Sequence, residues 1–118
     1  MLTSSHPFLE VTEMNDAIVV QFLNRKVLND DRLEAMAQQL FDLTGVLGKR
    51  TLRLDFANVE YLQSSVLGKL ISLNKKAATN GGRLILANVR DDVYKAFTVT
   101  SLDKLFAIER MPSSEPEA

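Results

Sequence analysis

Two changes of hydrophobic period between Thr51 and Val89 constrain the fold more tightly than any other feature of the chain. From Thr51 to Ala57 the residues alternate, with Leu52, Leu54 and Phe56 on one side and Arg53 and Asp55 on the other, which is a strand period. After Gln63-Ser64-Ser65 the period becomes helical, with Leu67, Leu70, Ile71 and Asn74 on one face and Lys69, Lys75 and Lys76 elsewhere. Asn80-Gly81-Gly82 ends that helix near Thr79, because glycine accepts the left-handed backbone a helix stop requires. The run RLILANV (83–89) then reads as a buried strand. Strand, helix and strand in succession place the two strands side by side and parallel, since the helix supplies the crossover that a hairpin turn cannot.

The flanks extend this unit. FLEVTEM (8–14) and AIVVQFL (17–23) alternate on either side of a turn at Asn15-Asp16 and read as a hairpin. A loop from Asn24 to Asn29 leads to Asn29-Asp30-Asp31, which suit a helix start both as caps and as negative charge at the dipole's positive end. Leu33, Met36, Ala37, Leu40, Phe41 and Thr44 recur at the helical period, and Gly45 and Gly48 are expected to stop that helix. Asp91-Asp92 open a third helix with Val93, Ala96 and Phe97 on one face. Leu102, Leu105 and Phe106 are expected to cover an end of the core, before a last edge strand at 107–109. The expected class is α/β, a mixed sheet of about 4–5 strands packed against 3–4 helices. Residues 1–110 read as one domain and 111–118 as a polar flexible tail.

At 118 residues such a domain buries roughly two-thirds of its unfolded surface. Cysteine is absent, which excludes disulfides and thiolate metal sites and fits a reducing compartment. The net charge is −1 with acids and bases mixed, so no electrostatic footprint for nucleic acid is visible. MLTSSHPFLEVTE lacks the basic-then-apolar order of a secretory signal. No apolar run reaches the roughly 18 residues that cross a bilayer, so a cytoplasmic protein with no membrane partner is the expectation. The single histidine, His6, lies in an N-terminal segment read as mobile, without an Asp, Cys or second His to form a metal site or triad.

Candidate chemistry concentrates at Ser64-Ser65. Where a strand feeds a helix, a serine oxygen can accept from backbone N–H groups that have no intrahelical partner. A helix cap with no further role is one reading of the pair. The other is a phosphate acceptor, because the positive end of a helix favours an anion once it is attached.

The pattern LRLDFANVEYLQSSVLGKLISLNKKAATNGGRLILANV, followed by NVRDDVYKAFTVTSLDKLFAIE, resembles a STAS domain, the fold of bacterial anti-sigma-factor antagonists. In that family the strand ends in a hydrophobic-Asp-Ser-Ser/Thr-Gly-Leu-Gly run whose first hydroxyl is phosphorylated. The resemblance therefore implies phosphorylation at Ser64, with Ser65 the alternative. It implies a partner surface of Gln63, Ser64, Ser65, Val66, Leu67 and Gly68, joined by Asn29, although Asn29 and Asp30 equally suit helix caps. Four positions depart from the pattern, one of them Asn29, where members often carry an acid near the end of the loop. Gln63 stands where an acid usually precedes the acceptor, and losing that charge makes a phosphate easier to tolerate. Val66 replaces a glycine, which predicts a differently shaped partner surface. Ser101 replaces the glycine of a Thr-Gly-Leu loop, which predicts altered geometry at Thr100-Ser101-Leu102. Gly68 is retained, either as a contact or because its helix approaches the sheet closely.

No other set of residues supports catalysis. Ser64 has no histidine or lysine base at a motif spacing, and Asp55 has no second carboxylate in a metal pattern. Gly81-Gly82 follows a helix and lacks the lysine of a phosphate-binding loop. The six phenylalanines have no interleaved basic residues and read as core. The expectation is a binding module, not an enzyme, without a cofactor. By resemblance it docks on an anti-sigma factor that is also an ATP-binding serine kinase of histidine-kinase-like fold, in bacterial transcription regulation. A serine phosphatase is the further partner implied. The alternative is an unphosphorylated scaffold or assembly subunit of a signalling complex, self-associating through an edge strand, and a homodimer remains open.

Overall fold

The computed structural model describes residues 3–6, 9–23, 26–27, 30–62 and 64–111. In chain order its elements are β1 (Thr3–His6), β2 (Leu9–Glu13), β3 (Ala17–Phe22), β4 (Lys26–Val27), α1 (Asp30–Leu47), β5 (Thr51–Asp55), β6 (Tyr61–Leu62), α2 (Ser64–Thr79), β7 (Arg83–Val89), α3 (Asp91–Val99) and β8 (Ala107–Arg110). A single 3₁₀ turn, Leu102–Lys104, lies between the last two.

The main sheet runs β1-β2-β3-β5-β7-β8, antiparallel at its first two pairings and parallel at the next three. Five of these strands are the ones expected from the sequence, three from alternation, β7 from its apolar run and β8 as the last edge strand. The sixth, β1, replaces the mobile segment expected around His6, and pairs His6 with Leu9. Its sequence, TSSH, has no apolar alternation to announce a strand at the sheet's edge.

Because β3, β5, β7 and β8 advance in one direction across the sheet, right-handed crossovers bring α1, α2 and α3 to the same face. Val11, Val20, Leu54, Leu86 and Ile108 form one register row beneath them, and the first four are wholly buried. The adjacent row, Val19, Arg53, Ile85 and Ala107, turns to the opposite face, where Arg53 hydrogen-bonds Glu109. That contact holds the Glu109 carboxyl below its ordinary range and raises the Arg53 guanidinium. Phe22, Phe56, Phe97 and Phe106 are buried and Phe41 partly so, whereas Phe8 lies outside the described residues. The buried face of α2 is Val66, Leu67, Leu70, Leu73 and Ala77, while Asn74 is only partly buried.

At the edge where the parallel strands begin, α1 is tied down by one side chain. Gly45 lies inside α1 rather than ending it, and the turn comes at Gly48, with φ 64°. Arg50 Nε donates to the Leu47 carbonyl at 2.9 Å, and one terminal nitrogen donates to the Val46 carbonyl. Its other terminal nitrogen reaches the Glu13 carboxylate at 2.6 Å and the Met14 carbonyl at 3.2 Å. A cation thus satisfies carbonyls that have no intrahelical partner, at the negative end of the dipole. Thr44, 1% exposed, donates to the Phe41 carbonyl and accepts Asn80 Nδ2 on its own carbonyl at 3.0 Å.

Ser101 itself takes the left-handed conformation, φ 63° and ψ 14°, that a glycine would supply. A side chain there costs roughly 1–2 kcal/mol, partly offset by glycine's larger unfolded entropy. Ser101→Gly is therefore expected to raise stability by about 0.5–1 kcal/mol. The measurement is a shift of the urea midpoint at unchanged m-value, and no shift would mean that the turn carries no strain. Leu105 is exposed rather than covering the core, which Leu102 and Phe106 do instead. The Met111 N–H still reaches the Val89 carbonyl at 2.8 Å, so the chain stays on the sheet through the first residue of the expected tail. Residues 112–118 lie outside the described residues.

Candidate functional site

The opposite edge, where β3, β5 and β7 end, is held by a polar clamp centred on Asp55. Asp55 Oδ1 accepts the Ala57 N–H at 2.9 Å and Asn88 Nδ2 at 3.1 Å. Asn88 sits at φ 54° in an irregularity of β7 between Leu86 and Val89, which aims its amide at the neighbouring strand. Arg90 Nε donates to the Ala57 carbonyl at 2.8 Å, and Asn58 Nδ2 donates to the Phe22 carbonyl at 3.2 Å. The chain leaving β5 is thereby fastened to β3 and β7. It returns as β6, which pairs in parallel with β4 and delivers the backbone to Ser64. A two-stranded ribbon, announced by no periodicity, thus brings part of the 24–29 loop beside the Ser64 turn.

Asp55→Ala leaves the Ala57 N–H and the Asn88 amide without their acceptor and is expected to cost about 2 kcal/mol. Asp55→Asn keeps one acceptor oxygen and should lose less. Amide exchange over residues 57–62 should quicken in the alanine variant. Unchanged exchange there would show that the clamp does not position the approach to Ser64.

α2 begins at Ser64, and both serines are helical and exposed. Gln63 and Asn29 lie outside the described residues. Val66 and Leu67 are only 3% and 7% exposed. Val66 therefore points into the core. Gly68 is exposed, with no atom within 4 Å of where a Cβ would stand, which excludes close packing as its reason. Ser64, Gly68 and Ser72 recur one turn apart and are exposed. The helix does not need its hydroxyls. Each large buried side chain on its inner face contributes roughly 1.5–3 kcal/mol, against about 1 kcal/mol for a cap.

Beside Ser64, α2 and α3 enclose a groove of about 550 Å³. Its floor is apolar, made by Leu62, Leu67, Val93 and Ala96, and its rim carries Ser64, Glu60, Asp92, Lys95 and Val99. The residues come from two stretches, 60–67 and 92–100, and no motif links them in sequence. Thr100 closes the end of α3, its hydroxyl donating to the Ala96 carbonyl at 2.8 Å. An accessible hydroxyl on the positive end of a helix, bordering an apolar groove, suits recognition and modification rather than unaided catalysis. Among the described residues, no helix is long and apolar enough to cross a membrane.

Solved structures share this architecture. An anti-sigma-factor antagonist (STAS) domain protein from Planctomyces limnophilus matches with a TM-score of 0.75 and 18% identity, over 88% of this chain and 91% of its own. An anti-sigma factor antagonist from Mycobacterium paratuberculosis matches with a TM-score of 0.73 and 21% identity, over 95% and 93%. The murine Solute Carrier 26 family member A9 anion transporter also matches, with a TM-score of 0.65 and 19% identity, over 86% of this chain but 17% of the transporter. At such identities the likeness is one of fold, and a fold found within a transporter does not by itself specify a role. The STAS domain family profile matches residues 10–118, from the first hairpin through the Ser64 turn to the end of the chain. The chain belongs to the STAS domain family.

Proposed function

We propose that the protein is a binding module of the anti-sigma-factor-antagonist kind, docking through the Ser64 turn on an anti-sigma factor with serine kinase activity. Phosphorylation of Ser64 releases it. The observation that supports this reading is the exposure of Ser64 at the first residue of a helix that holds without its hydroxyl. A phosphate there brings about −1.5 to −2 charge onto a contact that was a neutral hydroxyl beside apolar walls. Docking is then opposed by the cost of desolvating that charge, and the fold itself need not change. The two antagonists among the similar structures support the same reading.

The test is incubation with ATP and the candidate serine kinases of the same cell, read by intact mass. One addition of about 80 Da is expected, absent in Ser64→Ala and retained in Ser65→Ala. Labelling that survives Ser64→Ala would move the acceptor elsewhere, and no labelling by any kinase would remove the switch.

A further inference from the structure

We propose that Asn80-Gly81 is a self-modifying site, where the Asn80 amide becomes a carboxylate without any enzyme whenever the last turn of α2 opens. Of the seven asparagines in the chain, Asn80 alone is followed by glycine. An asparagine loses its amide when the backbone nitrogen of the next residue attacks the side-chain Cγ. Glycine, with no Cβ, leaves that nitrogen unshielded. Asn80 and Gly81 are both exposed, so water and base reach them.

The folded turn restrains both reacting groups. The Gly81 N–H donates to the Ala78 carbonyl at 3.0 Å and the Gly82 N–H to the Ala77 carbonyl at 2.9 Å, with Gly81 at φ 89°. These are the two bonds of a Schellman closure. The inner one keeps a proton on the nitrogen that must lose it before attack. The leaving amide is held as well, because Asn80 Nδ2 donates to the carbonyl of the buried Thr44 at 3.0 Å. The reaction therefore waits for local opening, and helix ends are among the first segments of a fold to open.

Once the turn is open, the Gly81 nitrogen gives its proton to solvent base and bonds to Asn80 Cγ. The Cγ–Nδ2 bond breaks, and the amide nitrogen takes up a proton and leaves as ammonia. Water then opens the succinimide ring at either carbonyl, giving aspartate or isoaspartate. Both products carry a carboxylate in place of the amide that the Thr44 carbonyl accepts, at the negative end of the α2 dipole. Isoaspartate also lengthens the main chain beside Gly82, which has no room for a Cβ against the Arg50 and Gly48 carbonyls. Either product loosens the turn. The mark is one-way and owes nothing to Ser64.

The test is timed incubation of the full chain in mildly alkaline buffer, folded or unfolded in guanidinium chloride, read by ion exchange and peptide mass. A gain of about 1 Da is expected in the peptide that holds residue 80, and none there in Asn80→Ser. In the folded chain it should form about 10 to 100 times more slowly than in the unfolded chain, a ratio set by opening of the turn. Equal rates would show that the hydrogen bonds do not guard the amide. No gain in the folded chain, while the unfolded chain converts, would show that the turn stays shut. Either result overturns the proposal, as does earlier conversion at another asparagine. Asn80→Asp, the simpler product, should speed amide exchange at Gly81 and Gly82 at least about tenfold. Unchanged exchange would remove the loosening. No arm involves labelling of Ser64, so this proposal and the switch can fail separately.

Discussion

Gly82→Ala is expected to lower stability by about 3 kcal/mol, the upper end of what one added methyl does to a packed site. A Cβ at Gly82 would stand 2.6 Å from Leu47 Cδ2, 2.7 Å from the Arg50 carbonyl oxygen and 2.9 Å from that of Gly48. Leu47 is wholly buried, and the other two atoms are backbone that cannot swing aside. The Gly82 N–H also donates to the Ala77 carbonyl at 2.9 Å, which fixes it against the end of α2. The turn after α1 and the turn after α2 are therefore pressed together, and a side chain must part them where β5 and β7 begin. Urea unfolding measures the loss. Gly45→Ala, on a helix position with nothing within 4 Å, is the matched control. A loss below about 1 kcal/mol for Gly82→Ala would show that the two turns separate easily.

Phosphorylation of Ser64 is expected to weaken the complex with the proposed kinase partner by several hundredfold, about 3–4 kcal/mol. The phosphate must be stripped of water to enter an apolar contact, and Glu60 and Asp92 on the same rim add like charge. Ser64→Glu carries a single charge and should fall between the two states, while Ser64→Ala should bind as the unmodified protein does. Titration calorimetry on the phosphorylated and unphosphorylated proteins gives the ratio. Equal affinities would retire the switch even if labelling occurs. Thermal stability should hardly move in any of these forms, because Val66, Leu67, Leu70, Leu73 and Ala77 hold the helix.

The order of elements was legible wherever burial imposes a period. Leu52 and Leu54 announce β5, the RLILANV run announces β7, and Met36 and Leu40 announce α1, because each alternates or repeats against one apolar face. The polar edge strand at Thr3–His6 and the two-residue ribbon of β4 with β6 were hidden, since their pairing is backbone bonding without a hydrophobic pattern. Gly45 misled because glycine marks a helix stop only when the backbone turns left-handed, and that happens at Gly48. Ser101 shows the converse: a residue other than glycine takes the left-handed backbone at that turn. At the site, the Ser64 turn could be found from the change of period. The Asp55–Asn88 clamp joins residues 33 apart, and the groove joins two helices, so neither leaves a local trace.

Arg50, Thr44 and Gly82 gather at the edge where the parallel strands begin, and Ser64 with its groove lies where they end. The tightest packing contacts and the proposed docking surface thus occupy opposite poles of the molecule. On that proposal, natural variation around Ser64 retunes which neighbour is greeted while the keystones at the far pole stay untouched. For the same reason a surface tether on Lys49 would hold the molecule by the end away from Ser64 and leave the proposed docking surface facing solution.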